Sequence, residues 1–380
     1  MTIAIIGAGL GGLTAALALL RAGQPVTVYE QAPVLGDVGA GISITPNAAK
    51  GLIALGLGEA LAAEAMAVPQ QTILEGASGQ ALKVIDRADC TDRYGAPYYM
   101  LHRAELHAML AAAVRAHAPD AIRTGHRFTH LQGTTLNFDG QPAQEAETII
   151  AADGARSPLR AQIFSDLPPR FTGHIAWRLL VPAADAPPDM ATPGSTVWTG
   201  DQRSFVRYPV RQGTLINCVG LSRTGQWRAE GWSQSVAASE MAEIFQSFAD
   251  PVRALIAAAP QGKVGSWGLF DRPPTPAYVK GPVALLGDAA HPMLPFMGQG
   301  AAMAIEDGVV MGRAFAAHQS PAAALAAYQA TRLPRTHFIQ TESSAGADRL
   351  QQANTDSKRL AKDEDALGIF TYDPATTPLA

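Results

Sequence analysis

Charge is scarce in this chain. Asp, Glu, Lys and Arg make up only 16% of its 380 residues, and the formal net charge is −4. A protein that grips nucleic acid needs a basic face to neutralise phosphates, so no nucleic-acid partner is expected. Cysteine is scarcer still: Cys90 and Cys218 are too few for a disulfide framework and form no metal-type Cys-x-x-Cys pair. They suggest a reducing, cytoplasmic setting and no metal site. Apolar runs stay short of the roughly 18 residues of a membrane-spanning helix, so no membrane span is expected. The chain enters a strand-like run at once with Thr2-Ile3-Ala4-Ile5-Ile6, so no signal peptide is expected either. What is plentiful is apolar residue, 47% of the chain, and glycine, 36 in all. A chain of this length is expected to divide into more than one packed unit of an α/β protein.

The first glycines follow the opening strand directly, in Gly7-Ala8-Gly9-Leu10-Gly11-Gly12. A run of helix formers leads to Arg21, Gly23 closes the helix, and Pro25-Val26-Thr27-Val28-Tyr29-Glu30 reads as a second strand. This strand–turn–helix–strand unit with G-x-G-x-x-G at the turn suits a dinucleotide. Gly7 permits the tight turn, Gly9 lets a pyrophosphate approach the backbone, and Gly12 allows helix and strand to pack closely. The helix start at Leu10 presents free N–H groups to the diphosphate. Glu30, at the end of the second strand, is placed to accept from ribose hydroxyls. The motif alone does not separate FAD from NAD, and a dehydrogenase sharing this turn is the competing reading.

Two more strand-to-turn motifs lie far along the chain. Thr148-Ile149-Ile150-Ala151 runs into Ala152-Asp153-Gly154, and Val283-Ala284-Leu285-Leu286 runs into Gly287-Asp288-Ala289-Ala290-His291-Pro292. The second continues through Pro295-Phe296-Met297-Gly298-Gln299-Gly300 into a helix that starts near Ala301. With these three motifs in order, the chain resembles the single-component FAD-dependent aromatic hydroxylases, typified by 4-hydroxybenzoate and salicylate hydroxylases. Residues 39–48, with Gly41, Ile42 and Ser43, resemble that family's flavin-edge loop. His102-Arg103-Ala104-Glu105 resembles the segment whose arginine reaches the cofactor.

The resemblance implies an α/β fold: a Rossmann-like, three-layer FAD-binding domain with an inserted, mostly antiparallel sheet domain and C-terminal helices. The expected division assigns residues 1–70, 100–170 and 266–345 to FAD, 71–99 and 171–265 to the substrate sheet, and 346–380 to a helix and tail. It implies FAD as cofactor, NADH or NADPH and O2 as co-substrates, and a flavin C4a-hydroperoxide that hydroxylates a small phenolic or heteroaromatic acid. A same-fold enzyme acting on a larger or non-carboxylated substrate, polycyclic, urate-like or a quinone precursor, is the alternative. Asp288 would accept from ribityl hydroxyls, and Asp153 would help to fix the pyrophosphate and the nicotinamide donor. The helix start at Gly300-Ala301 would face the flavin, where a reduced ring carries negative charge, and Gly298 would leave room for it. Arg160 would be structural, and His291 is read as serving cofactor placement. A monomer or homodimer is expected.

For the substrate, Tyr208 lies in the alternating run Phe205-Val206-Arg207-Tyr208-Pro209, similar to one in the salicylate branch, and is the candidate polar group over the flavin. Pro295 offers a carbonyl, and Phe296 and Met297 an apolar wall. Arg178, Arg203 and Arg207 are the candidates to pair with a substrate carboxylate. Relatives acting on 6-hydroxynicotinate carry a histidine where this chain has Ser43, which counts against that substrate. Pro334 is expected to kink the C-terminal helix, whose arginines would pair with carboxylates. The tail from Asp356 is expected to be an arm or a dimer contact.

Overall fold

The computed structural model describes residues 2–36, 39–165, 167–224, 234–351 and 365–380. Its first sheet has six strands in the order Val279–Lys280, Val283–Leu285, Thr148–Ala151, Ile3–Ile6, Val26–Tyr29 and Ile122–Arg123. The four central strands run parallel. Ile3–Ile6 and Thr148–Ala151 are buried at every position, as expected for strands covered on both faces. The helix Leu10–Arg21 packs along the helix Gly300–Ala317. Their approach depends on small residues: a Cβ on Gly308 would lie 2.6 Å from the Ala15 nitrogen, and one on Gly312 would lie 2.5 Å from Ala18 Cβ. The two helix N-termini are thereby brought side by side. Tyr29 faces the opposite way from Val28 and packs on Phe138, 4.7 Å between ring centres, within a three-stranded sheet of Phe128–Gln132, Thr135–Phe138 and Gln141–Glu145.

The second large sheet has eight strands in the order Gln234–Ala237, Lys263–Asp271, Arg170–Pro182, Leu215–Arg223, Arg203–Val210, Ser195–Gly200, Gln70–Glu75 and Ala81–Asp86. All its pairings are antiparallel except Ser195–Gly200 with Gln70–Glu75. Gln70–Glu75 and Ala81–Asp86 thus form one edge of it, and Lys263–Asp271 carries it across the division expected at residue 266. One face packs Trp198, Phe205, Cys218 and Phe245 into a core of its own beneath the helices Ala238–Ile244 and Asp250–Ala257. The other face turns toward the glycine motifs.

Several expectations need correction. Gly41–Ile44 is a strand, paired antiparallel with Tyr99–His102, so the segment read as a loop is held by a ladder. The helix Gly300–Ala317 ends before the 30-residue helix Pro321–Leu350, which carries Pro334 within it. The part of the tail that is described, 365–380, folds back onto the body of the protein. It packs on its own chain, with Phe370 2% exposed and tilted edge-on to Tyr94. Residues 356–364 lie outside the described residues. No helix among the described residues is long and apolar enough to cross a membrane.

Candidate functional site

A cavity of about 590 Å³ opens between the two sheets. Gly9, Leu10 and Gly12 of the first turn and Asp288, Pro295, Gly298, Gly300 and Ala301 of the third line the same space, although almost 300 residues separate them in sequence. Gly41, Ile42, Ser43 and Arg103 line it as well, with Tyr208, Phe296 and Met297. The fold therefore converges fifteen of the singled-out residues on one cavity.

The first turn is shaped to receive an extended anion. Gly7 has φ +104°, and a Cβ there would lie 2.4 Å from the Ala152 carbonyl oxygen. A Cβ on Gly12 would lie 2.1 Å from the Gly7 oxygen, whereas one on Gly9 would meet nothing within 4 Å. Close packing thus surrounds an open position, the arrangement a pyrophosphate needs. Glu30 braces the turn: Oε2 accepts from Ala8 N and Oε1 from Ala32 N, both at 2.8 Å. Each oxygen keeps lone pairs for ribose hydroxyls. His107, which the sequence did not single out, donates from Nε2 to the Ala8 oxygen at 2.7 Å.

The third turn is held from beneath. The Gly287 N–H donates to Asp307 Oδ2 at 3.0 Å, and His291 Nε2–H donates to the same oxygen at 2.6 Å. His291 is therefore a buried residue that braces this turn through Asp307. Arg332 Nε reaches Asp307 Oδ1 at 2.7 Å, while Arg332 and Arg335 both donate to Glu306, which also accepts from Asn47. Burial raises the Asp307 pKa, but His291 and Arg332 outweigh it and hold the carboxyl down at about 2. The arginines of the last helix thus pair with carboxylates of the Gly300–Ala317 helix, as expected. Arg160 donates from Nη1 to the oxygens of Ala289 and Ala290, at 2.7 and 2.8 Å, and so ties the second motif to the third. Asp288 is left exposed toward the cavity yet desolvated enough that its pKa is raised, with His291 and Arg103 pulling it back. An accessible acceptor of this kind suits hydroxyl groups of a cofactor.

Asp153 is placed differently from its neighbours. Ala152 and Gly154 line the cavity, but the Asp153 carboxylate accepts from Leu159 N at 3.4 Å at the start of the helix Pro158–Ile163. Burial pushes its pKa up to about 6, and Oδ1 has no partner among the described residues. Gly7 and Glu30 likewise stand just behind the cavity surface. The Pro295 carbonyl accepts from Gly298 N at 3.0 Å and keeps a second lone pair.

Strand alternation sorts the arginines. Ser204, Val206 and Tyr208 line the cavity, so Arg203 and Arg207 point to the far face. There Arg207 donates to the oxygens of Thr192 and Gly194, and Arg203 to that of Ile244. Arg178 is opposite Val219 in register and shares its cavity-facing side. Its guanidinium lies 4.3 Å from the Trp267 ring centre and makes no hydrogen bond or ion pair among the described residues. Desolvation lowers its pKa, with Tyr208 opposing and Arg103 adding to the effect. Burial likewise raises the Tyr208 pKa, so its hydroxyl keeps its proton.

Sequence reasoning missed Asn217, whose Oδ1 accepts from Gly41 N at 2.7 Å. It faces Tyr208 across the ladder, and no local pattern marks such a contact.

Comparison with known proteins agrees with this geometry. The family described as "FAD binding domain" matches residues 1–343. The 3-amino-4-hydroxybenzoate 2-monooxygenase PtmB3 of Streptomyces platensis is 38% identical over 90% of this chain and 86% of its own. The 3-hydroxybenzoate 6-hydroxylase 1 of Aquipseudomonas alcaligenes is 35% identical over 92% and 90%. Among solved structures, Klebsiella pneumoniae HpxO complexed with FAD and uric acid is 26% identical, with a TM-score of 0.85 over 100% of this chain and 98% of that one.

Proposed function

The chain belongs to the FAD-dependent aromatic hydroxylase family, and from that premise we propose that it hydroxylates a small phenolic or heteroaromatic acid, with NADH or NADPH as electron donor and O2 as oxygen source. Bound FAD supplies the oxygen-activating chemistry. In this reading the Gly7–Gly12 turn and the N-terminus of Leu10–Arg21 hold the pyrophosphate, Glu30 the ribose, and Asp288 the ribityl chain. The N–H groups at Gly300 and Ala301 would face the isoalloxazine ring, and Gly41, Ile42, Ser43 and Arg103 would hold its edge. Residues 1–70, 100–170 and 272–345 form the cofactor unit, and 71–99 and 171–271 roof the substrate. Both cysteines are free thiols, which supports a cytoplasmic setting.

The observation that carries the acid substrate is Arg178, a desolvated cation facing the cavity with no anionic partner among the described residues. Leaving such a charge unpaired is costly, and a carboxylate offers the matching bidentate acceptor. Tyr208, kept protonated by burial, donates to the phenolic oxygen and favours the electron-rich form of the ring. Val197, Val206, Val219 and Leu221 wall the ring apolarly and exclude water.

The test is a substrate screen. Purified protein is expected to carry flavin absorption. Monocyclic hydroxylated acids such as 3-hydroxybenzoate and salicylate are expected to stimulate NAD(P)H oxidation and yield a product with one added oxygen. A preparation that binds no flavin sinks the proposal. Uric acid or an uncharged phenol outperforming every acid would transfer the assignment to the non-carboxylated alternative.

A further inference from the structure

The far end of the chain returns to the cavity. Leu367 is half-buried at the cavity surface, and Ile369 and Phe370, 1% and 2% exposed, form the wall behind it. Phe370 reaches the substrate side through Tyr98, another lining residue, at 5.9 Å between ring centres. Tyr98 in turn lines the same cavity as Tyr208.

Fastenings on both sides hold this segment. Arg93 and Tyr94 hydrogen-bond Asp365. Lys50 Nζ donates to the oxygens of Phe370 and Thr371 at 3.0 and 3.1 Å. Arg335 donates to the Ile369 oxygen at 3.1 Å and lies 3.8 Å over the Tyr372 ring, and Arg313 holds the Pro374 oxygen at 2.9 Å. Backbone oxygens take most of these bonds. The donors therefore fix the path of the chain and leave the side chains at 367, 369 and 370 free to vary with the ring to be admitted.

We propose that residues 367–370 are the specificity wall of the cavity, with Leu367, Ile369 and Phe370 limiting the bound aromatic to a single ring. The assignment rests on the substrate reading above, because it needs an aromatic acid at the Tyr208 end of the cavity. An apolar wall discriminates by volume: one methylene too many costs about ten- to two-hundredfold, and a fused second ring costs more. Removing a wall side chain opens matching space.

The experiment uses full-length, FAD-loaded protein and compares salicylate with 1-hydroxy-2-naphthoate. Binding is followed by perturbation of the flavin spectrum, and turnover by product yield. Phe370→Ala and Ile369→Ala are expected to raise the bicyclic-to-monocyclic ratio of binding constants and of kcat/KM at least tenfold, with unchanged flavin content. Leu367→Trp adds bulk at a half-exposed position and leaves the core intact, so it serves if the truncations fold poorly. It is expected to weaken binding of both acids, the bicyclic one more. Folded variants whose ratios all stay within twofold of wild type overturn the wall assignment alone. Wild-type protein that binds neither ring size overturns the substrate reading, and the wall with it.

Discussion

The backbone N–H of Gly41 donates to Asn217 Oδ1 at 2.7 Å, joining points 176 residues apart. A side chain at 41 is excluded, since its Cβ would lie 2.5 Å from Tyr208 Cε2 and 2.7 Å from Asn217 Cγ. One hydrogen bond thus sets the distance between the strand proposed to edge the flavin and the sheet proposed to roof the substrate.

Asn217→Ala is therefore expected to leave the Gly41 N–H buried without an acceptor. The loss is about 1–3 kcal/mol of stability, with a lower yield of product per NAD(P)H oxidised. Thermal unfolding and product-coupling assays check both, and wild-type values in each would remove Asn217 from the positioning role.

At Arg178, truncation to Ala is expected to raise KM for an acid substrate about thirtyfold or more, from the ~2–5 kcal/mol typical of losing one partner of a buried charged pair. The decarboxylated phenol should be almost insensitive, and Arg178→Lys should recover only part because it lacks the planar fork. Equal losses for acid and phenol would show a structural role instead.

Tyr208→Phe is expected to spare flavin content and cut hydroxylation about ten- to hundredfold, the range for losing a hydrogen bond to a developing charge. Burial raises the Tyr208 pKa, so the wild-type rate should show no break from this group up to about pH 9. A Phe variant with wild-type coupling would return Tyr208 to packing.

The Asp153 pKa is about 6 in the folded protein against an ordinary 3.8. The fold therefore binds this proton more tightly than the unfolded chain does. The stability so contributed is complete below pH 3.8 and is lost as pH rises through 6. Asp153→Asn keeps an acceptor for Leu159 N without ionising. It is expected to gain on the order of 1–3 kcal/mol at pH 8 and almost nothing near pH 4, a contrast that denaturant titration at the two pH values can read. A gain equal at both would refute the electrostatic origin.

Arg332→Met, by contrast, strands Asp307 and weakens the hold on Glu306 in a fully buried setting. The expected cost is about 3–5 kcal/mol. Because Asp307 also holds the Gly287 N–H, flavin retention during dialysis should fall with it. Unchanged retention in a folded variant would separate the ion network from the cofactor turn.

The glycine turns were legible because their signals are local. A short apolar strand, a glycine at positive φ and a helix of small residues lie within about fifteen positions of one another. The strand run around Tyr208 was equally readable, and its alternation already implied that Arg207 faces away from Tyr208. Choosing Arg178 over Arg203 and Arg207 needed the register that sets it opposite Val219. The Gly41–Ile44 segment read as a loop because a lone four-residue run shows no partner, and Tyr99–His102 supplies that partner only after folding.

Sequence by itself determined that a dinucleotide is held, because a phosphate cradle is built from consecutive backbone atoms whose conformation nearby residues dictate; FAD over NAD came from the ordered motifs' resemblance to a family. The same resemblance implied the two-sheet architecture. Folding alone decided which arginine is left unpaired among the described residues, the Gly41–Asn217 clasp, the ion network under Gly287 and the return of the tail to the cavity. Each of these joins residues from separate stretches of chain, and their energies depend on burial and partnership, which exist only once the stretches have met.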